Sequence, residues 1–327
     1  MKVCHFIASK GLGRGEAYID LVNALCATVE IVLLVPDGAL FIPRVAKRVQ
    51  IVEYRAKDSR RNPLLYFELY THLKKIRPDI VHTHFAKATE IFYWLNKRLN
   101  IPWVSTKHNP RKGRIFNKAD HVIAVSKGVA DSISHNRVTV IHNGITPEIL
   151  PPVTKKNKIF TIVAVGRLEK VKAFDRLISE CAKLSFDFRL QIVGDGPEKE
   201  NLESLAISSG IDNIVDFLGY RSDIPQLMQN SDVIVVTSHS EGFSLVILEG
   251  LFYGKILISR DVGIARSILS KKFMIEKYEI ASKLEEIFAN IDFFEGEFGA
   301  IKKLKAPNFL IEHSVREYLD FYHGLLP

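Results

Sequence analysis

One pattern, run twice, limits what this chain can fold into. Short apolar, β-branched stretches (KVCHFIA, EIVLLVP, DIVHTHF, PWVSTKH, HVIAVS, VTVIHNG) alternate with segments of helical period up to residue 145. In the first such helix, expected over 17–27, Ile19, Leu21, Val22 and Leu25 share the inner side. The alternation breaks at TPEILPPVTKKNK (146–158), a stretch rich in Pro, Thr and Lys that reads as a linker. It restarts with IFTIVAVGRL, followed by FRLQIVGDG, IVDFLG and DVIVVTS, with helices expected near 173–184, 197–209 and 223–230. Alternation of this kind requires parallel sheets covered on both faces. The expected fold class is α/β, with two doubly wound, Rossmann-like domains. Domain boundaries are expected at 1–150 and 151–310, and a C-terminal helix over 311–327 is expected to pack back on the first domain.

Composition narrows the function classes. Hydrophobic residues at 47% and charged residues at 25% are ordinary for a globular protein. Cys4, Cys26 and Cys181 are too few and too scattered for a disulfide framework or a zinc motif. No stretch is long and apolar enough to cross a membrane. The opening MKVCHFIASK is short and broken by His5, so it reads as a first strand rather than a signal peptide. These features lead to an expected cytoplasmic location. The charge is lopsided. Residues 1–150 carry 23 Lys and Arg against 12 Asp and Glu, whereas residues 151–327 carry 22 against 25. A basic first half, densest at 44–61 and 107–118, fits an anionic partner such as a membrane surface or a phosphorylated acceptor. A merely solvated basic face is the plainer reading. Nucleic acid is not expected, because no binding motif accompanies the charge.

In doubly wound folds ligands bind beyond the carboxyl ends of the strands, and the chemistry-bearing motifs lie there. GLGRGE (11–16) misses the dinucleotide spacing G-x-G-x-x-G, yet bare glycines before a helix can place amides on a phosphate. In VGRLEKVKAFDRLI, Arg167 and Lys172 flank a turn into a helix, which suits two cations converging on a diphosphate. HSEGFSLVILEG (239–250) poses a sharper problem. A helix starting near Ser244 shows no polar face over Leu245–Leu248 and is expected to be buried. Glu249 falls between Leu245 and Phe252 on that cylinder, where a carboxylate needs a partner. Glu241 and Glu249 are about 12 Å apart along a helix, too far for a glycosidase pair. His82 and His84 share a strand face with His108 downstream, but no carboxylate or thiol lies near them in sequence, and no metal is expected. The chain has no Asp-x-Asp, so neutralising a nucleotide diphosphate would fall to Arg167, Lys172 and helix ends.

Taken in order, GLGRGEAYIDLVNAL, HTHF, STKHN, ADHVIAVSKGVADSI, VIHNGI, VGRLEKVKAFDRLI, IVGDGP and DFLGYRSDIPQLMQNSDVIVVTSHSEGFSLVILEG resemble the GT-B retaining glycosyltransferases of glycosyltransferase family 4 over roughly residues 1–260. The resemblance implies two domains facing each other across a cleft that takes a nucleotide-sugar donor, without a metal or other cofactor. It implies that Arg167 and Lys172 grip the diphosphate and that Glu249 accepts both ribose hydroxyls. It also gives Glu241 the hydroxyls of the transferred sugar. Amides of Gly242, Phe243, Ser244 and Leu245 would face the phosphates, and Gly13 would approach them from the first glycine loop. The turn Tyr220-Arg221 would meet the base through its backbone. His108 matches the histidine beside the reacting sugar, while His84 and Arg14 fall on the acceptor side.

The implied reaction is retaining transfer of a hexosyl or N-acetylhexosaminyl group by front-face displacement. With the basic first half, the expected acceptor is a lipid-linked glycan of the cell surface, such as lipopolysaccharide core or O-antigen. The enzyme would then work peripherally at the inner face of the cytoplasmic membrane. A nucleotide-sugar epimerase or phosphorylase, or a non-catalytic nucleotide-sugar-binding subunit, would use the same fold. Three positions depart from the family pattern. Arg14 stands where a second glycine is usual, Ser244 follows EGF where glycine is frequent, and the return loop after RDVGIARSIL is shortened.

Overall fold

The computed structural model describes residues 1–11, 16–152, 159–276 and 279–326. The chain divides into two compact units, Met1–Thr146 with Phe309–Pro327, and Pro147–Asn308.

The first unit holds strands β1 (Lys2–Ile7), β2 (Glu30–Pro36), β3 (Gln50–Tyr54), β4 (Ile80–His84), β5 (Trp103–Lys107), β6 (His121–Ala124) and β7 (Val138–Val140). They form one parallel sheet in the order β3-β2-β1-β4-β5-β6-β7. Its helices are α1 (Ala17–Leu25), α2 (Pro63–Ile76), α3 (Phe85–Leu99) and α4 (Lys127–Ala130). The start of α2 shows local chemistry at work. Pro63 takes the first turn, Asn62 caps it by accepting from Leu64 N–H, and Arg77 closes the far end in the left-handed region.

Strand alternation sorts β1 between two cores. Val3 and Ile7 join the cluster under α1, whereas Cys4 and Phe6 join the one under α2 and α3. His5 lies between Val3 and Ile7 on the α1 face and is fully buried. A further helix of this unit comes from the far end of the sequence.

The second unit holds β8 (Phe160–Val165), β9 (Phe188–Val193), β10 (Val215–Gly219), β11 (Val233–Val236) and β12 (Leu257–Ser259), a parallel sheet in the order β10-β9-β8-β11-β12. Around it lie α5 (Phe174–Cys181), α6 (Lys199–Ser208), α7 (Ile224–Asn230), α8 (Leu245–Tyr253), α9 (Ala265–Ile268), α10 (Ile280–Ala289) and α11 (Ile291–Lys305).

The chain then returns to the first unit as α12 (Ile311–His323). Ile145 and Leu310 form a parallel bridge, and Ser314 Oγ donates to His142 O at 2.9 Å. Gly144 lets the backbones meet, since a Cβ there would stand 2.7 Å from Ile311 Cα. Tyr318 and Tyr322 of α12 are buried in the α1-side core, where each ring contributes about 2 kcal/mol of apolar burial. Both units are doubly wound, as the alternation requires.

Candidate functional site

A doubly wound sheet binds ligands where its strand order reverses. The reversal falls between β1 and β4 in the first unit and between β8 and β11 in the second. The candidate residues gather at the carboxyl ends of those strands.

In the second unit, β8 runs into a glycine-rich turn. Gly166 has φ +157°, and a Cβ on it would crowd the Lys172 stem at 3.3 Å. Gly194 is more constrained, because its Cβ would sit 1.9 Å from Gly166 O. The 3-10 turn Lys170–Lys172 then enters α5 through Ala173 at φ +54°. Two bonds fasten that turn to the loop after β11. Thr237 Oγ1 donates to Lys172 O at 2.7 Å, and His239 N–H donates to Val171 O at 2.8 Å. Lys172 is therefore held beside the acidic segment. Its Nζ pairs with Glu241 Oε1 at 2.6 Å, and Ser238 Oγ donates to the same oxygen at 2.7 Å. Arg167 is more exposed and pairs with Glu169 at 2.9 Å.

The acidic segment is shaped by a residue that the sequence reading passed over. Gly263 has φ +57°, and a Cβ there would lie 2.2 Å from Phe243 O. Ile264 N–H donates to that same carbonyl at 3.0 Å. The close approach sets the backbone that enters α8. Ser244, at the head of the helix, has φ +72°, a region that favours glycine, and its buried hydroxyl has no partner among the described residues. Glycine would adopt this φ without cost, and serine carries the strain.

One expectation needs correction. The run Leu245–Leu248 is not wholly buried: Ile247 and Leu248 are buried, but Leu245, Val246, Glu249 and Phe252 are half-buried. The helix thus has a partly open face, and Glu249 lies on it. Its carboxyl makes no hydrogen bond or ion pair among the described residues. Burial first, and the Glu148 carboxylate second, push its pKa up to about 7. Glu148 is held nearby, its N–H donating to Tyr253 Oη at 2.7 Å.

Elsewhere in this unit, Tyr220 is exposed after β10, and Arg221 forms a fork with Asp223 at 2.8 and 2.6 Å. Gly242 is half-buried and Phe243 buried.

The first unit gathers histidines. Register places His5 opposite His82, and His84 opposite both Ile7 and Thr106. His84 Nδ1 lies 3.1 Å from His108 Nε2, and His84 Nε2 lies 3.0 Å from His5 Nδ1. Burial holds His5 and His108 down to about 3 and His84 well below the usual histidine value. Tyr18 packs edge-on to His108. His82, His84 and His108 stand out in the sequence, whereas His5 reads there only as a break in an apolar run. The β1–β4 register would have found it. The tyrosines of α12 carried no sequence signal linking them to this place. Gly13 and Arg14 lie outside the described residues. Arg111, Lys112 and Arg114, just past His108, are exposed and form no ion pair among the described residues.

Known proteins share this organisation. The family model described as Glycosyltransferase Family 4 matches residues 16–149, and that described as Glycosyl transferases group 1 matches residues 146–291. The chain is 31% identical to an uncharacterised glycosyltransferase of Methanocaldococcus jannaschii over 57% of this chain and 56% of that one. It is 26% identical to the lipopolysaccharide core biosynthesis glycosyltransferase LpsE of Rhizobium meliloti over 79% of this chain and 78% of that one. The match thus spans little more than half the length of the archaeal relative. Among solved structures, Anabaena HepE in complex with UDP superposes with a TM-score of 0.84 at 18% identity, over 99% of this chain and 100% of that one. That likeness carries the GT-B fold.

Proposed function

We propose, from the premise that the chain belongs to the family 4 glycosyltransferases, that it moves a sugar from a nucleotide-diphosphate donor to a glycan acceptor with retention at the anomeric carbon. One observation carries this reading: Glu249 is a half-buried carboxyl with no cation and no hydrogen-bond donor among the described residues. A vicinal diol supplies two donors to one carboxylate, which is what a ribose presents. The head of α8 and the neighbouring Lys172 suit the diphosphate that accompanies such a ribose.

In this reading Lys172 and Arg167 leave their carboxylate partners for the diphosphate, and Glu241 turns to the hydroxyls of the sugar. The acceptor oxygen bonds to the anomeric carbon from the leaving-group side as the bond to the diphosphate oxygen breaks. That oxygen takes the acceptor proton. Charge stabilisation and positioning supply the rate. With no Asp-x-Asp in the sequence, the two cations serve in place of a metal, and turnover is expected to survive EDTA.

The acceptor is proposed to be a lipid-linked, anionic cell-surface glycan. The exposed Arg111, Lys112 and Arg114 support this, as does likeness to a relative named for lipopolysaccharide core biosynthesis. Calorimetric titration with UDP-, GDP- and ADP-sugars, followed by NMR of the product's anomeric configuration, tests the reading. Binding of none of them, or inversion, would reject it.

A further inference from the structure

Polar rings buried together need a partner for each proton and each lone pair. On the α1 face of the first sheet, an unbroken series of contacts leads from Thr106, by way of Tyr322 of α12, to His108. It begins at the Thr106 hydroxyl, which is fully buried. Thr106 Oγ1 lies 2.6 Å from His82 Nε2, and His82 Nδ1 lies 2.5 Å from Tyr322 Oη. Tyr322 Oη reaches His5 Nε2 at 3.4 Å, His5 Nδ1 reaches His84 Nε2 at 3.0 Å, and His84 Nδ1 reaches His108 Nε2 at 3.1 Å.

A neutral imidazole has one N–H and one lone pair, and a hydroxyl has one proton. Desolvation keeps the four rings neutral. A hydroxyl that accepts from both sides strands its own buried proton, so the arrangement with fewest orphans runs one way throughout. If protons point toward Thr106, His82 donates to it, and the Thr106 proton is left with no acceptor among the described residues. Thr106 is fully buried, so that orphan costs about 1–3 kcal/mol. If protons point toward His108, Thr106 donates to His82, His82 to Tyr322, and so on, and the one proton left over is at Nδ1 of the half-buried His108 ring.

We infer that this buried series fixes His108 as the tautomer with its lone pair on Nε2 and its proton on Nδ1, so that His108 offers its ligand a hydrogen-bond donor. Thr106, His82, Tyr322 and His5 are then positioning residues, acting on the site through His84. His108 Nδ1 makes no bond among the described residues, which leaves that N–H for a ligand. A metal is the competing use of the cluster, since ligand atoms of His5, His82 and His84 lie within 4.8 Å of one another. Yet each ring nitrogen of those three already faces a hydrogen-bond partner, and His82 is held at both ends by hydroxyls.

Long-range proton–nitrogen NMR of the 15N-labelled full chain reads the tautomer directly. A protonated-type shift on His108 Nδ1 and a lone-pair-type shift on Nε2 are expected, at a ratio of at least about five to one. Tyr322→Phe and His5→Leu each cut the series, and the ratio should fall toward about one to one in both. A residue that only fills space would not move it. The wild-type spectrum needs no variant to fold, so it decides alone if neither does. A proton on Nε2 in the wild type, an unmoved ratio in folded variants, or one equivalent of zinc whose removal shifts the His5, His82 and His84 resonances would each overturn the inference. The tautomer concerns the first unit alone. Only its use on a sugar rests on the transferase reading, so the free-chain spectrum and nucleotide-sugar turnover fail separately.

Discussion

The switch points of the two units handle polarity in opposite ways. In the first, polar rings are buried, neutral and bonded to one another, so that little is left to satisfy. In the second, the groups are charged and half-open. Lys172 and Glu241 hold each other, and Glu249 has no hydrogen bond or ion pair among the described residues. The first is satisfied without a ligand, while the second keeps the charges that the proposed donor would meet. Substitutions in the first unit should therefore disturb geometry, and those in the second should disturb affinity and charge.

The largest expected effect comes from the second unit. Lys172→Ala removes a cation proposed to meet the leaving diphosphate, and kcat is expected to fall about 10²–10³-fold. The same change frees Glu241 beside Ser238, so donor binding should weaken as well. A steady-state assay that showed KM alone rising would place Lys172 in ground-state binding and blur the contrast.

Next is the exposed basic cluster that follows His108 in the first unit. Neutralising Arg111, Lys112 and Arg114 together should weaken binding to anionic vesicles by about 3 kcal/mol at low salt, and by less as ionic strength rises. Sedimentation with vesicles of mixed neutral and anionic lipid measures this. Salt-independent binding, equal in wild type and variant, would make the cluster a solvated surface.

Glu249→Gln sharpens the comparison through pH. The folded carboxyl titrates about 7 against 4.5 for the unperturbed group. Between those values the folded chain keeps a proton that the unfolded chain has lost, so stability falls as pH rises through this window. The amide escapes that penalty, and the variant should be more stable than wild type at pH 8, by roughly 1–3 kcal/mol, with no gain at pH 4. Donor affinity should move the other way, about tenfold weaker in the variant at pH 8 and converging below pH 7. Calorimetry at the two pH values separates these effects. A variant that is less stable at both, with unchanged affinity, would make Glu249 a packing residue.

The smallest effect is expected at Ser244→Gly, which relieves a left-handed φ and a buried, unpartnered hydroxyl. The gain is offset by glycine's freedom in the unfolded chain, leaving roughly 0.5 kcal/mol of stabilisation. A loss of melting temperature would mean that the hydroxyl has a role in the folded chain.

Much of this was legible in the residues, for reasons that differ by position. The doubly wound sheets follow from apolar strands such as EIVLLVP, whose burial on both faces leaves few alternatives. Helix α8 begins within a residue of where SEGFSLVIL places it. What periodicity could not give was the half-open face that Glu249 shares with Leu245 and Phe252, since a continuous apolar run looks the same from every side. The pairing of Lys172 with Glu241 depends on a loop contact across 69 residues, which spacing cannot reveal. His5 was hidden in a strand whose neighbour is β4, and only the register brings it to His82. The Tyr322–His82 contact spans 240 residues, with no local cue at either end.

That last separation has a meaning for synthesis. The second unit is continuous in sequence, so a ribosome delivers it whole, whereas the first is interrupted and waits for its last helix. A nascent chain stalled at residue 308 carries the seven strands of the first sheet but neither Tyr318 nor Tyr322, so the α1-side core lacks its final layer and His82 a partner. Domains tend to mature in the order in which they emerge, yet here the unit made first should be finished last. Limited proteolysis of such stalled chains should find 147–308 resistant while 1–146 is still cut, and resistance of both would show that the first sheet stands without its returning helix.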